Sequence, residues 1–159
     1  MSTPAAENAP RVVTPGVPLT PAEAEAILEI AHLAVAADRK LSDDEVTAMR
    51  GIVARVRALA AKQKLAPDAK VSERDLWALV DGYGERDREQ ADGRLRELAA
   101  ALSPAARTLA YRVAYALSTC DLDAADEEFE FDLQLIDALE LSDEQVQLLQ
   151  AEVNAIIAG

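Results

Sequence analysis

Two stretches of the chain repeat each other at a fixed spacing. Residues 37–46 read Ala-Asp-Arg-Lys-Leu-Ser-Asp-Asp-Glu-Val, and residues 119–132 read Thr-Cys-Asp-Leu-Asp-Ala-Ala-Asp-Glu-Glu-Phe-Glu-Phe-Asp. An offset of 83 (121 minus 38) places Asp121 on Asp38, Asp126 on Asp43 and Glu128 on Glu45. The same offset places Phe129 on Val46, Ile136 on Val53 and Leu139 on Val56. Upstream it places Val113 on Ile30, Ala114 on Ala31 and Leu117 on Ala34. A charged loop and its flanking apolar stripes thus recur in one register, the pattern of two copies of one helix-turn-helix unit. A chain with that repeat is expected to be all-α, a bundle of duplicated αα-hairpins joined by short loops.

About seven helices are expected. Residues 1–18 carry Pro4, Pro10, Pro15 and Pro18 without periodicity and predict a flexible, polyproline-like tail, which leaves 19–159 as a single domain. Thr20-Pro21-Ala22-Glu23 is a helix start, with Ile27, Ile30, Ala31, Ala34 and Val35 on the inner face as far as Asp38. Ser42 and Glu45 cap the second helix, whose stripe is Val46, Met49, Val53, Val56 and Ala60. Ser72 opens a short helix through Leu76, Trp77, Leu79 and Val80, closed by Gly82 and Gly84. Residues 85–102 follow, with Leu95, Leu98, Ala99 and Leu102 inward, and Ser103-Pro104 caps the next helix through Leu109, Val113, Ala114 and Leu117. After the acidic turn, Phe129, Leu133, Ile136 and Leu139 cluster on one side of a helix, while Asp126, Glu130 and Asp137 face away. Ser142 and Gln145 start the last helix, with Val146, Leu149, Val153 and Ile156 inward.

Charge narrows the functions open to such a bundle. The net charge is −13, and residues 113–159 hold twelve acidic side chains and no basic one. That field repels phosphate backbones and anionic lipid, so no nucleic-acid partner is expected. It attracts cations or a protein partner with a basic surface. No apolar run reaches the roughly 18 residues of a membrane helix, and the N-terminus lacks a signal-peptide pattern. Cys120 is the only cysteine, so no disulfide framework is expected and cytoplasm is the expected compartment. Cys120 reads as small core filler, and Tyr111 and Tyr115 as packing within the bundle. No phosphate loop, Cys-x-x-Cys pair, His-Glu-x-x-His or nucleophile elbow occurs, so the chain is not expected to be an enzyme. The single histidine, His32, reads as a packing residue.

The acidic turns admit two readings. Carboxylates in a helix's first turn complement its dipole and cap free N–H groups, which accounts for the first copy without further function. In the second copy Asp121, Asp123, Asp126 and Glu127 lie together with no Lys or Arg between them. Like charges at that density repel one another unless a cation joins them. Hard divalent ions (Ca²⁺, Mg²⁺ or Mn²⁺) take oxygen ligands of this kind. Asp132 falls inside the apolar sector with Glu128 one turn before it, and an inward carboxylate calls for a partner, either Arg107 or Arg112 or a bound cation. An EF-hand does not fit, because its sixth position is Asp126 instead of Gly and its twelfth is Asp132 instead of Glu.

The joining phrases Ala37-Asp38-Arg39-Lys40-Leu41-Ser42-Asp43-Asp44-Glu45 and Cys120-Asp121-Leu122-Asp123-Ala124-Ala125-Asp126-Glu127-Glu128 resemble those of the TerB-like domains of tellurite-resistance proteins. Similar domains begin the membrane-anchored co-chaperone DjlA. The resemblance spans roughly residues 20–159. It implies an all-helical pseudo-repeat without catalysis, divalent-metal binding at the turns, and a role in metal-ion or envelope stress exerted through partner proteins. The family's Gly after Asp is replaced by Arg39 in one copy and Leu122 in the other, and Arg39 with Lys40 would neutralise the first site. The expected ligands are therefore Asp121, Asp123, Asp126, Glu127, Glu128 and Asp132, with Asp38 and Glu45 secondary. The alternative is a metal-free acidic scaffold that docks a basic partner. A hydrolase using Glu128 and Asp132 as paired carboxylates ranks third.

Overall fold

The computed structural model describes residues 8–13, 19–36, 43–60, 88–119 and 126–158, with side chains over 8–13, 19–34, 47–60, 93–117 and 132–158. Six α-helices are described: α1 (Pro21–Ala36), α2 (Asp43–Ala60), α3 (Arg88–Ala100), α4 (Pro104–Thr119), α5 (Asp126–Leu139) and α6 (Asp143–Ala158). No strand occurs among the described residues, so the architecture is all-α. The short helix expected over residues 72–80 lies outside them. Adding 83 to the bounds of α1 gives those of α4, Pro104 and Thr119, and adding it to the start of α2 gives that of α5, Asp126.

The helices begin where cap chemistry dictates. Thr20 Oγ1 accepts the Glu23 N–H at 3.1 Å while Glu23 Oε1 accepts the Thr20 N–H at 3.1 Å, a complete capping box. Ser142 and Gln145 make the same reciprocal pair at 2.9 and 3.2 Å. Ser103 Oγ accepts the Ala106 N–H at 3.2 Å. α5 ends in paired turns, Leu141 N–H to the Ile136 carbonyl at 3.2 Å and Glu140 N–H to the Asp137 carbonyl at 3.1 Å. That closure puts Glu140 at φ 57°, a left-handed position that glycine usually fills.

α1 and α4 form the centre and, among the described residues, share the most extensive helix–helix contact. Each is buried almost all round: Ala24, Ile27, Leu28, Ile30, Ala31 and Leu33 on α1, and Ala106, Leu109, Ala110, Val113, Ala114 and Leu117 on α4. Helices with so wide an apolar face belong in a core rather than at a surface. α2 packs on α1 and α5 on α4, while α3 lies across α1 and α5. A paired Arg94–Glu29 contact fastens α3 to α1, the second of its two bonds being 2.8 Å long. The expected inward residues Leu95, Leu98 and Ala99 of α3, Leu102 just after it, and Val146, Leu149 and Val153 of α6 are buried, and Ile156 is half-buried.

The N-terminal stretch differs from the expected tail. Ala9–Val12 forms a 3-10 turn, and Ala9, Val12 and Val13 are fully buried against α2, α4 and α6. Asn8 Nδ2 donates to the Ile157 carbonyl at 3.1 Å, which ties the turn to the end of α6. One turn is too short to show a period, so its apolar residues carry no pattern a sequence could display. The Pro10 ring occupies the niche that Gly51 leaves on α2, where an added Cβ would overlap it. Helix propensity alone makes Gly51→Ala stabilising by about 1 kcal/mol. The overlap reverses that sign, and we expect a net loss of roughly 1–3 kcal/mol in urea denaturation. A more stable alanine variant would show that Pro10 is not seated on α2.

Candidate functional site

Asp132 is the one expected ligand whose side chain is described, and it sits where α4, α5 and α6 meet. On α5 the inward line runs through Asp132, Leu135 and Leu139; both leucines are buried, and Asp132 is half-buried. This corrects the expected face at Leu133, while Ile136 and Leu139 face the core as expected. Leu133 points out and is 53% exposed, whereas Leu135 is fully buried. The spacing of Glu128, Asp132, Leu135 and Leu139 (four, three, four) is itself a helical seam, but two carboxylates in it mask the apolar signal.

The Tyr111 hydroxyl on α4 is the neighbour that holds the Asp132 carboxyl down against the effect of burial. The same oxygen accepts from Gln150 Nε2 on α6 at 2.9 Å. Tyr111 is fully buried, and its ring stacks on Tyr115 with centroids 6.0 Å apart and planes 13° from parallel, as expected of two tyrosines packing in the bundle. Tyr115 donates to Asn154 Oδ1 at 3.3 Å, and Arg112 pairs with Glu152. Three polar pairs thus line the α4–α6 seam.

The arginines expected near Asp132 are engaged elsewhere. Arg107 Nη1 donates to the Leu139 carbonyl at 3.3 Å and to Glu140 Oε2 at 3.2 Å, closing the C-terminus of α5. Its Nε donates to the Leu102 carbonyl at 3.3 Å. Arg112 is held by Glu152. Arg96 reaches α5 at Asp137, 3.0 Å away, on the face expected to be exposed. No basic side chain among the described residues pairs with Asp132. Burial therefore pushes its carboxyl above the ordinary aspartate value, and the Tyr111 hydroxyl pulls it only part of the way back. Burial, with the nearby Asp132 carboxylate, also raises the Tyr111 phenol, so it stays a donor at neutral pH. The cap by Arg107 and the Gln150 contact had no signal in the sequence, since both depend on which helices become neighbours.

The remaining expected ligands are placed only in part. Asp126, Glu127 and Glu128 stand in the first turn of α5, and Glu45 in the first turn of α2, with their side chains outside the described set. Asp121, Asp123 and Asp38 lie outside the described residues, as do Cys120 and Trp77. Among the described residues no three His, Cys, Asp or Glu side chains gather as a metal group. His32 is buried at 3% exposure, and its Nδ1 donates to the Leu28 carbonyl at 2.5 Å. Burial holds the ring below the ordinary histidine pKa, so it is neutral. That is a packing histidine.

Comparison with family models, with curated proteins and with solved structures gave no match to the chain. No helix of the described residues is long and apolar enough to cross a membrane.

The raised carboxyl fixes the sign of a mutational effect. Between the ordinary aspartate pKa and its higher folded value the native state binds more protons, so stability falls as pH rises through that window. At pH 7 the ionised carboxylate is a cost, and Asp132→Asn should raise the melting temperature. The gain should shrink as pH falls through the raised folded pKa, below which wild type is protonated too. A variant less stable than wild type at pH 7 would mean that the charge is compensated.

Proposed function

We propose that this chain is a non-enzymatic, TerB-like helical module that binds a divalent cation at the acidic junction of α4 and α5. In this reading it acts in a metal, tellurite or envelope stress response through protein partners. The observation that carries it is Asp132: a half-buried carboxylate at the end of a seven-carboxylate stretch, with both candidate arginines turned to other acceptors. A carboxylate left so is expensive at neutral pH, and a cation held by Asp121, Asp123, Asp126, Glu127, Glu128 and Asp132 would offset the cost. The coincidence of helix bounds at an offset of 83 supports two copies of one hairpin, of which the first, with Asp38 and Glu45 beside Arg39 and Lys40, is the weaker site.

Calorimetric titration of the full chain with Ca²⁺, Mg²⁺ and Mn²⁺ at physiological salt tests the reading. Saturable binding is expected to one of them, weakened at least about tenfold by Asp121→Asn with Asp123→Asn, since each lost carboxylate removes a charged ligand. Heats equal to buffer dilution for all three ions would overturn it.

A second reading has its own support. α5 and α6 contain no Lys or Arg, yet they expose Leu133 at 53% and Leu148 at 61%. Acidic helices with apolar tips suit docking of a basic protein surface without any metal. Absence of ion binding together with salt-sensitive capture of a basic partner would favour that scaffold.

A further inference from the structure

Glu23 does more than close its own capping box. While Oε1 accepts the Thr20 N–H at 3.1 Å, Oε2 accepts the Ser103 N–H at 2.9 Å, across 80 residues of chain. Thr20 and Ser103 are the N-cap residues of α1 and α4, so one carboxylate sits at the positive ends of both central helices. At the offset of 83 the residue matching Glu23 is Ala106, which is fully buried. The second helix thus keeps the Ser103 half of a capping box, whose Oγ holds the Ala106 N–H at 3.2 Å, but has no acid of its own to complete it. A glutamate at position 106 would have to bury its charge.

We infer that Glu23 joins the two hairpins into one cooperative unit, capping α4 of the second with a carboxylate that belongs to the first. No basic side chain among the described residues pairs with it. Arg107, one turn into α4, is directed at the Leu102 and Leu139 carbonyls and at Glu140, and Glu25 faces Arg57. The two amides are therefore its working partners. The Ser103 N–H is the larger cause of its lowered pKa. A local capping box would end with the Thr20 amide; a shared one makes the start of α4 depend on α1.

Amide exchange in the full chain separates the two. A capping box tolerates Gln in place of Glu, so a purely local role predicts little change in Glu23→Gln and faster exchange at Thr20 alone in Glu23→Ala. A neutral amide offers one oxygen where the carboxylate offers two. The shared cap therefore predicts that Glu23→Gln speeds exchange about tenfold at one of Thr20 and Ser103, and Glu23→Ala at both, a typical loss for one hydrogen bond. Unchanged exchange at Ser103 in the alanine variant would overturn the inference. In wild type, which needs no variant to fold, the Thr20 and Ser103 amide shifts should move together as pH falls through the Glu23 carboxyl. A Ser103 shift that stays flat through that step would equally overturn it.

Discussion

The packing of α1 against α4 is the contact on which the other elements depend. Alanines at 24, 31, 106, 110 and 114 are all buried on these two helices, and small side chains let helix axes approach closely. Around them Ile27, Ile30, Leu109 and Leu117 are almost completely buried, each worth roughly 1.5–3 kcal/mol relative to exposure. Every other described element packs on α1 or α4: α2, α3 and α5 on α1, and α2, α5, α6 and the N-terminal turn on α4. A low aromatic content, 4% of the chain, is what such a centre needs, because bulky rings would force the two axes apart.

Some contacts of the two hairpins correspond. The N-terminal turn covers α2 and touches α4, and α3 covers α5 and touches α1. A segment preceding each hairpin thus caps the second helix of that hairpin and the first helix of the other. At an offset of 83 Ala106 stands where the first hairpin has Glu23, and Asp132 where it has Met49. The first difference leaves a helix start without its own carboxylate, and the second places a carboxylate in a helix seam. The first need is met from outside the second hairpin, by Glu23 on α1, and the second from within it, by Tyr111 on α4.

Much of this was legible before any coordinates. The order of the described helices followed from apolar stripes and cap residues, and the Thr20–Glu23 and Ser142–Gln145 boxes stood in plain letters because capping is local. The inner faces of α3, α4 and α6 followed from leucine and valine spacing. What escaped was non-local. Leu133 and Leu135 are equally apolar, and only the neighbours of α5 decide which turns inward. Ala9, Pro10, Val12 and Val13 find their place through Gly51 and α6, contacts that no window of sequence contains. The inward position of Asp132 was readable, but its Tyr111 partner was not, since the choice between arginine and phenol is made by where α6 lies.

Peripheral and central helices should differ in how they open. α6 rests on α4 and the N-terminal turn through a seam that includes Gln150, Glu152 and Asn154, whereas α1 and α4 are enclosed on nearly every side. Native-state hydrogen exchange in increasing low denaturant measures this directly. The account predicts that amides of residues 27–34 and 109–117 exchange only through global unfolding, at one shared free energy and one denaturant slope. Amides of α6 should exchange through a smaller opening at lower free energy. Amides of α1 and α4 opening at separate energies, or α6 protected as strongly as either, would contradict it.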